Sequence, residues 1–442
     1  MAMTDSCKRL AVGRDKLDRL TDLPINVIHQ IQEHMSIEDA ARMSVLSRTW
    51  RYIWASNPKL VFDTKFCTKR TSSNTIDIIS TILLQHHGSV KTFLVDISVI
   101  HSSQHSVVDR WMLFLSRNGL VDLSLQKQNS GSAPYKLPSY VYDVGLERLV
   151  LSNSIFRPLC SFRGFHKLRQ LNLMRVAFEL DVATSSLWMP SLEILQFTQC
   201  SGLRFLNIYA PKLYCLYLSG CGTDALNMGP FMDCGKMKVF GIVSQEEVSL
   251  NRQDKAMKLT DLLNSWPNLS HLILCRYFLK IFASDTGAES LPMCLNRLRC
   301  LYLWDYNFDS KDQTFALLSI LRSYPNLKTL RFLSGQRKKG DMEVDVNYFE
   351  GPGYGTQRLN NFQALQISNF YGSRAELLFI RFILASAPLL QKVVLLVDTS
   401  VSESQSLKIS KELMRFPRAS PKSEIIFEPW TIEQARTRIG LV

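Results

Sequence analysis

The sequence predicts an α/β chain in which a short group of helices precedes a long array of parallel strands. Three observations carry that reading. A six-residue pattern, apolar-x-x-apolar-x-apolar, recurs in order along most of the 442 residues. From Leu17 to Asp63 the apolar side chains instead fall at helical spacing. Composition is that of a globular protein, 46% hydrophobic and 21% charged, with length enough for a large core or several domains.

Residues 1–16 read as a flexible N-terminus, because MAMTDSCKRLAVGRDKLD has no apolar centre of the kind a signal peptide needs. No uncharged apolar run approaches the roughly 18 residues of a membrane span. Even LLFIRFIL contains Arg381. The expectation is an intracellular protein, in nucleus and/or cytoplasm, with no membrane partner.

Residues 17–63 read as three short helices. Pro24 suits a first helical turn, where its missing N–H is not required, and Pro24, Ile28, Ile31 and Met35 follow along one stripe, with Asn26, Gln30 and Glu33 facing away. Ser36 with Asp39 three residues on caps a second helix rich in Ala40, Ala41, Met43 and Leu46. Ser47 caps a third, on which Trp50, Ile53 and Trp54 share a side. A core this small supplies no more than ~3–5 kcal/mol. Such a unit either caps the domain behind it or docks on a partner.

Leu23-Pro24, VLSRTWRYIW at 45–54 and PKLVFD at 58–63 occur in that order, and the segment resembles the F-box of plant F-box/LRR proteins. The resemblance implies binding to a Skp1-like adaptor and, through it, a cullin-RING ubiquitin ligase, with Leu23, Pro24, Ile28, Ile31 and Trp50 as the adaptor-binding residues. It departs from the family pattern at His34-Met35-Ser36, where a Leu-Pro pair is usual.

Over residues 64–361 the recurring pattern reads as an irregular leucine-rich-repeat solenoid. Clear copies begin at 120, 146, 168, 192, 203, 213, 269, 298 and 327, and weaker ones at 90, 237, 362 and 390. Intervals such as 22 and 24 residues suit one strand plus one return segment per repeat. Cys200 and Cys221 follow two of these strands and read as packed turn residues. Pro267, Pro325 and Pro388 each end a helix and aim the chain into a strand; they lie 58 and 63 residues apart, two coils each. The copies at 192, 203 and 213 are too close for helices between them, so turns replace helices there.

Residues 362–442 read as strand, helix (Ala375 to Ala385), strand (Gln391 to Asp398), helix (Ser404 to Phe416) and strand (Ser423 to Glu428). Lys408 to Glu428, with RFPRASP at its centre, is similar to the FBD region that closes many of these plant proteins. The fold class is therefore α/β: a three-helix F-box, an irregular solenoid and an FBD-like αβ cap that covers its last coil.

The net charge of +13 invites a nucleic-acid reading. Its distribution weakens that, because residues 17–62 are neutral, with five bases and five acids, and the remaining excess is spread over a long region. The only basic triple, Arg337-Lys338-Lys339, reads as a loop, solvated or serving nuclear import or an acidic partner. Nucleic acid is not the expected partner.

No phosphate loop, dinucleotide fingerprint, HExxH or GxSxG is present, GPGYG at 351–355 does not precede a helix, and His86-His87 lacks further ligands nearby. The Asn268 sequon falls on a strand. Ten scattered cysteines without C-x-x-C read as reduced and packed. The expectation is a non-enzyme without cofactor or metal.

Recognition is then assigned to the solenoid. In each LxxLxL strand the third and fifth positions face the open concave sheet. Phe205, Tyr217, His271, Tyr302 and Arg331 are the candidates for binding a protein target, unless a return loop or the terminal cap covers them. The combined expectation is a substrate-recognition subunit of a Skp1-cullin-F-box (SCF) ligase. The alternative is a scaffold or nucleic-acid-binding solenoid with a vestigial F-box.

Overall fold

The computed structural model describes residues 23–128, 133–159, 161–179, 186–203, 206–221, 228–244, 251–252, 255–256, 258–279, 281, 296–335 and 359–430. It opens with α1 (Ile25–Glu33), α2 (Ile37–Met43) and α3 (Arg48–Ala55), then β1 (Lys59–Phe62), α4 (Thr64–Thr68), α5 (Ser72–Leu84), β2 (Thr92–Asp96) and α6 (His105–Arg117). There follow β3 (Asp122–Gln126), β4 (Tyr135–Lys136), β5 (Arg148–Phe156), β6 (Gln170–Phe178), β7 (Ser186–Trp188), β8 (Ile194–Thr198), β9 (Asn207–Tyr209), β10 (Cys215–Ser219) and β11 (Val239–Val243). The last strands are β12 (Asn251–Arg252), β13 (Lys255–Ala256), β14 (His271–Cys275), β15 (Cys300–Tyr306), β16 (Thr329–Ser334), β17 (Ala364–Phe370), β18 (Lys392–Val397) and β19 (Glu424–Pro429).

Fourteen of these strands stack in chain order into one parallel sheet, β1-β2-β3-β5-β6-β8-β10-β11-β14-β15-β16-β17-β18-β19, with β4 added beside β5. The pattern sets the register. Leu195, Leu216, Phe240, Leu272 and Leu301 pair in one row, Phe197, Leu218, Ile242, Leu274 and Leu303 in another, and all are buried. A slip of one residue would turn every one of them to the other face. Because each coil buries its leucines only against its neighbours, the core runs continuously from Ile37 to Leu413.

The proline spacing is borne out. Helices Leu259–Asn264, Lys311–Ser323 and Arg374–Ser386 run into Pro267, Pro325 and Pro388 and lead to β14, β16 and β18, with β15 and β17 between them. The C-terminal elements fall within a residue or two of expectation. There β17, β18 and β19 continue the same parallel sheet, with one register shift between Ser368 and Phe370.

Two expectations need correction. The copy at 203 is not a strand of the main sheet: β9 pairs with β7 in a separate two-stranded sheet, and β8 and β10 pair directly. Leu203, Leu206 and Ile208 reach the core from the return side, so a short strand stands where turns were expected. The closing PKLVFD of the helical module is the second. Its residues 59–62 form β1, which pairs with β2 from Lys59↔Thr92 to Phe62↔Val95. The last residues of the module are thus the first strand of the solenoid.

One feature escaped the sequence altogether. At the second residue beyond the last leucine of the pattern, Asn153, Arg175, Gln199, Asp305 and Asn369 all have positive φ, between 48° and 59°, as does Gly220 at 60°. The strand bulges there, and the next side chain, such as Cys200 or Tyr306, turns back into the core.

Candidate functional site

The helical module is closed by short-range bonds. The Pro24 carbonyl accepts from the Val27 N–H at 2.8 Å and starts α1. Ser36 accepts from the Asp39 N–H at 3.1 Å, and its hydroxyl donates to the Asp39 carboxylate at 2.8 Å. The departure at His34-Met35-Ser36 therefore leaves α2 properly capped. Ser47 accepts from the Trp50 N–H at 3.2 Å.

Ile28, Trp50 and Ile53 form a core separate from that of the solenoid, with Leu23 and Met43 against it. Among the predicted docking residues, Pro24 is exposed and Leu23 and Ile31 are half-buried, whereas Ile28 and Trp50 are each only 2% exposed. Side chains so enclosed offer no contact area to an adaptor. Whatever they contribute to docking passes through the helices that they hold.

The large apolar side chains that do face water are Ile25, Val45, Leu46 and Tyr52, exposed by 52%, 78%, 70% and 62%. Sequence reasoning placed Leu46 on the second helix, but α2 ends at Met43, and Val45 and Leu46 lie in the turn before α3, where a helical stripe has no meaning. The available signal was the Val-Leu pair just before the Ser47 cap.

The module is joined to the solenoid by more than β1. Ile37 of α2 belongs to the large core, Glu38 pairs with Arg70 at 3.4 Å, and the Arg70 guanidinium lies 3.9 Å over the Phe66 ring.

On the sheet, Phe205 lies outside the described residues. Tyr217, Gly241, Ile273, Tyr302 and Arg331 form one lateral row across five strands, with His271 one row nearer the N-terminal rim. Tyr217 is only 8% exposed because it leans into the place left by Gly241, where a Cβ would stand 2.5 Å from its Cδ2. Tyr302 and Arg331 are half-buried and His271 is exposed. Trp304 sits 5.9 Å from Tyr302 between ring centres.

Burial, reinforced by Tyr217, raises the Tyr302 phenol above its ordinary value, so it stays a neutral hydrogen-bond donor. Crowding on the face, then the nearby Arg331 and Arg299 charges, hold His271 below its ordinary value. The arrangement is an aromatic floor beside cationic side chains. It suits binding, and burial pushes the Cys67 and Cys215 thiols up to about 12, far from nucleophilic use. Cys200 donates to the Leu173 carbonyl at 3.4 Å, in keeping with a packed turn. No group of three or more metal-ligating side chains occurs, and no helix is long and apolar enough to cross a membrane, among the described residues.

Two family models match the chain: the F-box domain over residues 20–62 and the At1g61320/AtMIF1 LRR domain over residues 82–420. An Arabidopsis thaliana protein, F-box/FBD/LRR-repeat protein At1g13570, is 31% identical over 93% of this chain and 98% of its own length. F-box/LRR-repeat protein 13 of the same plant is 24% identical over 94% of this chain and 97% of its own. A helical module with its own core, fused through β1 to a leucine-rich solenoid, and full-length similarity to such proteins lead to one assignment: the chain belongs to the plant F-box/FBD/LRR-repeat family.

Proposed function

We propose that this F-box adaptor, which has no catalytic residues of its own, docks on a Skp1-like protein and holds a target protein on its solenoid for ubiquitin transfer by a cullin-RING ligase. The observation that carries this reading is the module itself. It has closed its core with Ile28, Trp50 and Ile53, yet still presents Val45, Leu46 and Tyr52 to water. Apolar surface so exposed on an undersized unit fits a partner, since burying a Leu or Val is worth about 1.5–3 kcal/mol. Leu23 packs on that core while Pro24, at the start of α1, is exposed and Ile31 half-buried, and Ile28 and Trp50 position the helices.

Co-purification with a Skp1-like adaptor tests the reading. Leu46→Asp with Val45→Asp is expected to abolish capture while the circular dichroism of the solenoid is unchanged. Leu23→Ala with Pro24→Ala should weaken capture by about tenfold or more, as expected for hot-spot truncation. Undiminished capture by both variants would sink the assignment.

A further inference from the structure

We propose that the target presents an acidic segment of its chain, bearing an aliphatic or aromatic side chain, to the C-terminal half of the concave sheet. This rests on the proposed function for one point only, that the partner is a protein. The surface itself is argued from charge.

In register, the two halves of the sheet differ. From β2 to β8 the outward positions carry both signs, and two ion pairs form among them: Arg148 meets Asp122 at 3.2 Å and Arg169 meets Glu193 at 2.9 Å. From β11 to β17 the balance is lost. Lys238, Ser270, Arg299 and Lys328 follow one another along the N-terminal rim, the N–H of Ser270 donating to the Lys238 carbonyl, that of Arg299 to Ser270 and that of Lys328 to Arg299. His271 and Arg331 lie just inside that rim, close enough to it that the Arg331 and Arg299 charges both act on His271. The second, third, fifth and seventh positions of these five strands hold no carboxylate. Lys238, Arg299 and Lys328 enter no ion pair among the described residues.

Three cations spread over three strand spacings, about 14 Å, make a stripe of one sign. Self-repulsion of this kind is relieved by a counter-charge. Next to the stripe lie Tyr302, Trp304 and Ile273, a floor for an apolar or aromatic side chain. An extended acidic peptide laid across the strands would place carboxylates over the rim and a hydrophobic residue over Tyr302. A nucleic acid would find the same charge, but the neighbouring F-box ties this face to protein targets.

The test is fluorescence anisotropy on the full chain. The probes are a labelled peptide of alternating Glu and Leu, its Lys and Leu counterpart, and a labelled single-stranded oligonucleotide. The acidic peptide should bind, weaken as salt screens the charges, and lose about tenfold or more in affinity with Arg299→Glu plus Lys328→Glu. Arg169→Glu, in the paired half, should change it less than about twofold. Tighter binding of the oligonucleotide or the basic peptide, or indifference to the double reversal, would overturn the proposal. Adaptor capture reads the two ideas apart: if it succeeds while the acidic peptide does not bind, only this inference falls, and in the opposite case only the ligase reading falls.

Discussion

Three histidines hold their protons less readily in the folded chain than in free solution. Loss of hydration to the surrounding protein is the first cause at His86, at His105 and at His271, and the ammonium of Lys127, 3.1 Å from the His105 Nε2, adds to it at His105. A folded pKa below the unfolded one means that the unfolded chain binds more protons, so stability is lost as pH falls through that window. The thermal midpoint is expected to drop as pH goes from about 7.5 to about 5.5 at constant ionic strength, and His105→Gln should flatten part of that slope. A midpoint insensitive to pH, or rising, would contradict it. At this scale the caps Ser36 and Ser47 were legible because they involve residues three apart. The enclosure of Ile28 and Trp50 was not, since a stripe tells which side of a helix is apolar and not what lies against it.

Strands follow the same logic one level up. The bulge that gives Asn153, Arg175, Gln199, Asp305 and Asn369 positive φ sits at one place in the repeat, and Gly220 occupies that place in the coil after Gln199. For an L-residue this conformation costs roughly 1–2 kcal/mol, most for β-branched side chains. Gln199→Gly is expected to hold or raise stability by up to about 1 kcal/mol, and Gln199→Val to lower it by about 1–2 kcal/mol, read as urea midpoints at equal slope. Equal effects of the two would show that the bulge carries no strain. The leucine pattern found twelve of the strands in the main sheet but misplaced β9. Any half-buried strand alternates in the same way, and only the pairing partner reveals which sheet it joins.

For the whole molecule, the decisive junction is β1. Leu60 and Phe62 are wholly buried, Phe62 lies 5.9 Å from Phe93, and the Asn57 side chain accepts from the Lys59 N–H at 3.0 Å. A chain beginning at residue 57 should therefore remain monomeric. One beginning at residue 64 loses roughly 3–6 kcal/mol of burial and bares the β2 edge, so it should aggregate and melt earlier. Light scattering and a thermal melt separate the two outcomes. Family membership and repeat number were legible because they rest on local motifs. The one-sided charge of the distal sheet was not, because composition counts bases but only register shows which of them share a face.

The same junction gives the molecule a fixed reach. Backbone hydrogen bonds connect the helical module to the aromatic floor at Tyr302 through nine strand spacings, roughly 43 Å of arc from β1 to β15. In the proposed ligase, the stack would act as a ruler. Inserting or deleting a single coil would shift which lysine of a bound target comes within range of the ubiquitin donor, without altering a single contact at either end.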